Sequence, residues 1–143
     1  MDIKRVASAD PGAGAEATHT VPADVWWVLM GLQVALVTSA TAANRRPALV
    51  IDDGAVEFDR LRAGVDQAAS LTRTYTFTPS VVAEVDRSAT FLEMIEPLAK
   101  RVLPGGYRIR TVTQALQAGD NYGVMQMFVA ELDSLRDAIA ALG

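Results

Sequence analysis

The 143-residue chain contains no cysteine and a single histidine. Without cysteine there is no disulfide framework, thiolate nucleophile, zinc finger or Cys-ligated cluster. One histidine, His19, is too few for a histidine-rich zinc site or for a paired Glu-x-x-His di-metal motif. Lysine is nearly absent too, with Lys4 and Lys100 alone beside eleven arginines. No basic run exceeds two residues and the net charge is −4. Phosphate neutralisation needs clustered cations, so nucleic acid is not an expected partner. Arginine in place of lysine, with abundant alanine, is a compositional association with GC-rich coding DNA of the actinobacterial kind. The opening residues are charged and offer no early apolar stretch, so no secretory signal is read and a cytoplasmic protein is expected.

What the chain does have is apolar residues, half of the total. They concentrate in Val25–Val37, VWWVLMGLQVALV, where Gln33 is the one strongly polar side chain. Continued to Ala43, the stretch carries no formal charge over nineteen residues. Burying each large apolar side chain is worth roughly 1.5–3 kcal/mol, so this segment must be covered. Pro22 and Asp24 suit the first turn of a helix, and Arg45-Arg46 before Pro47 suits its end. A first helix over about 22–46 is the expectation. If Gln33 is buried there, its amide needs a partner.

Residues 1–20 are rich in Ala, Gly, Ser, Thr and Asp and read as a flexible arm, with MDIKRVA able to pair weakly. Residues 48–59 support two readings. Asp53-Gly54 is a hairpin signal that would put Leu49, Ile51, Val56 and Phe58 on one face. The alternative begins a helix near Ala55, and a helix is favoured over 59–71. TRTYTFT at 72–78 alternates and reads as a short strand or an extended connector. Thr78-Pro79 opens a further helix whose stripe runs from Val81 to Ile95, with Leu98, Val102 and Leu103 continuing it to the stop at Pro104-Gly105-Gly106. YRIRTV at 107–112 alternates again. Met125, Phe128, Leu132, Leu135, Ile139 and Leu142 recur at spacings of three and four, which predicts a C-terminal helix facing a core or a partner.

The expected fold is mainly α, a single-domain helical bundle of four or five helices over 21–143 with one or two short β segments. An α+β fold, with a small antiparallel sheet from 48–52, 55–59, 72–78 and 107–112, is the alternative. Glu93 and Glu96 share a helical face but read as solvent-facing, with Glu96 placed to pair with Lys100. Glu131 and Asp133 diverge, so no metal site and no cofactor are expected. No catalytic residue is assigned. The residues selected as ligand-contacting are Trp26, Trp27, Met30, Gln33, Tyr75, Arg108, Arg110, Tyr122 and Met125.

Taken together, these features predict an interaction or apolar-ligand-binding protein. It would be homodimeric through helix one or the C-terminal seam and would take an apolar small molecule or a partner helix. One alternative is a small enzyme of actinobacterial specialised metabolism, its apolar pocket furnished by Tyr75, Arg108, Arg110, Asp120 or Tyr122. A second is a single-span membrane protein through 25–43, which the length and the Thr38–Thr41 polar tail disfavour.

Overall fold

The computed structural model describes residues 1–79, 84–85 and 93–143, and it is mostly β. The strands in chain order are β1 (Asp2–Ala7), β2 (Thr18–Thr20), β3 (Trp26–Val37), β4 (Arg46–Asp52), β5 (Glu57–Arg62) and β6 (Thr72–Thr78). They continue as β7 (Glu84–Val85), β8 (Glu93–Pro97), β9 (Arg101–Pro104), β10 (Arg108–Gln114), β11 (Asn121–Tyr122) and β12 (Gln126–Leu132). The helix α1 (Leu135–Leu142) follows. The expected mainly α helical bundle is therefore wrong. The four β segments of the α+β alternative do fall on strands, but β4, β5 and β10 lie in one sheet and β6 in the other, and α1 is the one helix among the described residues.

Two sheets form the molecule. The larger runs β1-β12-β3-β6-β8-β7, with β9 and β11 also on β3, and the smaller runs β2-β10-β4-β5. One core lies between them. The large sheet contributes Trp27, Leu29, Leu32, Val34, Leu36, Tyr75 and Phe77 to it, and the small sheet Leu49, Ile51 and Ile109. Pairing is antiparallel except between β6 and β8.

Where helix one was expected, β3 is the central strand of the large sheet. It pairs β12 and β11 on one side, and β9 and β6 on the other. Its run is apolar because both faces are covered at its start, which is the pattern of an interior strand. Trp27 and Leu29 face the inter-sheet core. Trp26, Val28 and Met30 face outward, into a second cluster with Val102, Ala130, Leu132, Ala138 and Ala141 beneath α1. A register shift against β12 then falls between Phe128 and Val129, leaving Met30 without a β12 partner. Beyond it the inward residues become Leu32, Val34 and Leu36. This phase change at a bulge places inward residues three apart, 29 to 32, and so imitates a helix. Because 26–37 is a strand, the single-span helix through 25–43 is also excluded. No helix among the described residues is long and apolar enough to cross a membrane.

Other differences have local causes. The hairpin at Asp53-Gly54 forms, with Gly54 at φ +97, but Val56 and Phe58 stay 62% and 48% exposed. Leu61 instead stands opposite Leu49, which makes 57–62 a strand where a helix was favoured. Asp24 adopts a left-handed φ of 66, a turn rather than a helix start. The helix expected from Thr78 to Pro104 lies partly outside the described residues, and its described pieces include β7, β8 and β9. Glu96, expected in solvent, is buried and accepts a hydrogen bond from the Gly64 N–H at 3.0 Å. The C-terminal seam is divided. Phe128 and Leu132 belong to β12, Ser134 caps α1 through the Asp137 N–H, and Leu135, Ile139 and Leu142 are exposed rather than core. Small side chains, Ala138 and Ala141, meet the sheet instead.

Residues 1–20 reach both sheets. Here β1 joins β12, β2 joins β10, and the Gly14 N–H donates to the Asp120 carbonyl at 2.7 Å.

Candidate functional site

Five polar constellations are built into the fold, and their members bond one another except for His19, whose Nε2 is buried without a hydrogen-bond partner among the described residues. Arg45 and Asp120 form a wholly buried ion pair, from Nε to Oδ2 and from Nη2 to Oδ1, both at 2.8 Å. The same carboxylate accepts from the Ser39 N–H and hydroxyl and from the Gln117 N–H. Burial alone would raise the Asp120 pKa, but these donors hold it well below the usual carboxylate range. The network ties the loop between β3 and β4 to the loop between β10 and β11.

Asp52 receives Arg108 at 2.7 Å and Arg110 at 2.6 Å, because 108 and 110 share a face of β10 and Asp52 stands opposite Arg108. Burial pushes its carboxyl up; the two guanidiniums and the Gly54 N–H prevail and hold it at about 2. Glu16 gathers both Thr111 and Thr113, and Thr113 in turn bonds the Tyr122 hydroxyl. Burial raises the Tyr122 pKa far above normal. The Tyr75 hydroxyl donates to Gln67 Oε1 at 2.9 Å, and burial pushes its pKa up to about 12. His19 stacks on Trp27 with ring centroids 5.3 Å apart, and burial lowers its pKa. The Trp27 indole N–H bonds Glu131 at 2.8 Å.

None of these side chains lines the surface depressions at Met30 or at Trp26. Among the described residues no group of three or more His, Asp or Glu is arranged to hold a metal ion. The five residues selected for an enzyme pocket do not converge either. Asp120 holds Arg45, Arg108 and Arg110 hold Asp52, and Tyr75 and Tyr122 have separate partners.

Among the described residues one accessible groove is on the outer face of the large sheet, at the Met30 bulge, and another, of about 440 Å³, lies where Asp24 and Trp26 meet residues 104–106. β9 pairs β3 only as far as Leu29, and β6 resumes the pairing only at Leu32. Interruption on that side and the bulge on the other open a groove of about 420 Å³. Met30, Gly31, Gln33, Phe77, Thr78, Met127, Phe128 and Arg5 are among its lining residues. Phe128 is 48% exposed at its rim. Gln33 is exposed and donates to Thr76 Oγ1 at 3.2 Å, so its amide is not stranded in the core. Its cross-strand neighbour Gln126, also in the lining, has a buried Oε1 with no hydrogen-bond partner among the described residues. A neighbouring depression of about 160 Å³ shares Met30 and is lined by Met1, Ile3, Val28, Lys100, Ala130 and Ala141.

Of the residues selected from sequence, Met30 and Gln33 line the groove. Trp26 packs under α1, Trp27 and Met125 are core, and Tyr75, Tyr122, Arg108 and Arg110 serve the polar constellations. Sequence reasoning missed Phe128, Phe77, Met127 and Arg5. A Phe-flanking alternation, Met127 in, Phe128 out, Val129 in, was the available signal, and the helical spacing masked it.

The fold and this surface together define a two-sheet β-sandwich with an open apolar groove. No family model matches the chain, and no curated protein matches it.

Proposed function

We propose that the protein is a non-catalytic binding module that takes an apolar segment of a partner protein into the groove at the Met30 bulge. The observation that carries this reading is the pairing of exposed Phe128 with the unpartnered Gln126 Oε1 in one groove. A buried acceptor without a donor is worth about 1–3 kcal/mol of unmet hydrogen bonding. A peptide supplies what both need, an apolar side chain for Phe128 and, with the Gln126 side chain turned into the groove, a backbone N–H for its Oε1. The groove opens along the sheet rather than enclosing a volume, whereas small-molecule sites bury most of their ligand. That geometry favours a chain segment over an apolar small molecule.

The test uses methyl-labelled methionine. Titration with a panel of apolar octapeptides should shift the Met30 and Met127 resonances, and polar peptides of equal charge should not. Phe128→Asp should weaken binding at least tenfold. Shifts confined to Met94 or Met125, or undiminished binding by Phe128→Asp, would overturn the reading.

A further inference from the structure

The free edge of β1 is the second surface that the fold leaves unfinished. Among the described residues β1 pairs β12 alone, so one side of its backbone has no ladder partner there. Such an edge is a template for another strand. The two edges of the small sheet are blunted. β2 has only three residues, and β5 carries Glu57–Arg60 at 2.6 Å and Asp59–Arg101 at 3.1 Å. β1 instead exposes Met1 at 80% and Ile3 at 50%.

We propose that a second copy of this chain occupies that edge, β1 against β1 antiparallel, with the two-fold axis passing through Ile3. The register follows from faces and charges. Ile3 stands opposite Ala130, a member of the outer cluster, so Ile3 and Arg5 face outward while Asp2 and Lys4 face the other side. A two-fold normal to the sheet keeps outer residues against outer ones, so the axis must fall on a residue. Centred on Asp2, Lys4 or Arg5, it opposes two like charges. Centred on Val6, it brings no opposite charges together. Centred on Ile3, it sets Ile3 against Ile3 and Asp2 against Lys4 twice.

The existing charges favour that last arrangement. Asp2 stands opposite Glu131, a like-charged pair, and Lys4 is already bonded to Glu131 at 2.9 Å. No ion pair to Asp2 is formed among the described residues, and Lys4 from the other copy supplies a cation. Opposite charges directly across a ladder stabilise it and like charges oppose it. The result is one continuous sheet through both copies, with both grooves on the same outer face.

The absence of cysteine makes a clean test. Directly opposed residues in an antiparallel pair lie about 4.5–5.5 Å apart at Cα. That matches the roughly 4.4–6.8 Å span of a disulfide. Ile3→Cys under mild oxidation should form a covalent dimer at least tenfold faster than Ala7→Cys, which shares the face but sits off the axis. Native mass spectrometry and light scattering of wild-type protein at about 50 μM should show dimer. Asp2→Lys should raise the dimer dissociation constant at least tenfold, and the swap Asp2→Lys with Lys4→Asp should restore it. Circular dichroism identical to wild type establishes that each variant is folded. Equal cross-linking rates, a monomer at 50 μM, or a swap that fails to restore pairing would overturn the proposal. Phe128→Asp lies outside the pairing, so loss of peptide binding and loss of the dimer are read separately.

Discussion

Asparagine at position 120 keeps the shape of aspartate and removes the charge that faces Arg45. Asp120 accepts from Arg45 Nε, Arg45 Nη2, the Ser39 N–H, the Ser39 hydroxyl and the Gln117 N–H, all between 2.8 and 3.0 Å. An asparagine must turn an NH₂ toward one side of that ring of donors. On the Oδ2 side it meets Arg45 Nε and the Gln117 N–H; on the Oδ1 side it meets Ser39 and Arg45 Nη2. At least two donors lose their acceptor in either orientation, at about 1–3 kcal/mol each. Breaking a buried ion pair from one side is independently worth about 3–5 kcal/mol. We therefore predict that Asp120→Asn destabilises by about 3–5 kcal/mol, lowering Tm by roughly 10–15 °C. Urea unfolding at pH 7 with an unchanged m-value measures it. Asp66→Asn, which breaks the exposed Arg46 pair at 2.6 Å, should change stability by less than about 1 kcal/mol. Replacing both buried partners, Arg45→Met with Asp120→Leu, removes the uncompensated charge but still leaves the Ser39 and Gln117 N–H groups without their acceptor, so the double variant should stay less stable than wild type. An Asp120→Asn protein within about 1 kcal/mol of wild type would refute the reasoning.

Two further outcomes follow from the same accounting. The Asp52 carboxyl is depressed to about 2 in the folded protein. The stability it contributes is therefore complete above the ordinary carboxylate pKa of about 4, and it is lost as pH falls from there to about 2. Urea midpoints measured across that window should decline less in Asp52→Asn than in wild type, and parallel declines would count against the assignment. Ser8→Ala removes the hydroxyl that accepts the buried Met125 N–H at 2.8 Å. It should destabilise by about 1–3 kcal/mol and speed hydrogen exchange at the Met125 amide, and an unchanged exchange rate would argue for another acceptor.

How much of this was legible depends on what each segment packs against. β6 and β10 could be read, because TRTYTFT and YRIRTV alternate and bury alternate side chains. The turn at Asp53-Gly54 was legible because its chemistry is local. β3 was not. It is covered on both faces at its start, exposed on one at its end, and changes phase at Met30 between them. Periodicity alone does not separate such a run from a buried helix. The C-terminal spacing failed differently, since Phe128, Leu132, Leu135 and Ile139 face unlike surroundings on either side of Ser134. Of the candidate site, Gln33 was found because it interrupts the apolar run, and Met30 because methionine and tryptophan cluster within that run. Phe128 and Arg5 were not, because their neighbourhood is assembled across strands from opposite ends of the chain. The same is true of Arg45 and Asp120, 75 residues apart.

The pairing of β3 with β12 also sets a timetable for synthesis. Trp27 and its partner Glu131 are separated by 104 residues of chain. At about 5–20 residues per second, a ribosome needs roughly 5–20 s to deliver the second after the first. For that interval the most water-averse stretch of the nascent protein has no strand to cover its β12 side. Holding factors that bind extended apolar chain would find their target there, and a slowed codon run before β12 would lengthen the risk of aggregation. Yield in a host depleted of such factors would then respond to changes at Trp26–Val37 that leave the finished fold equally stable.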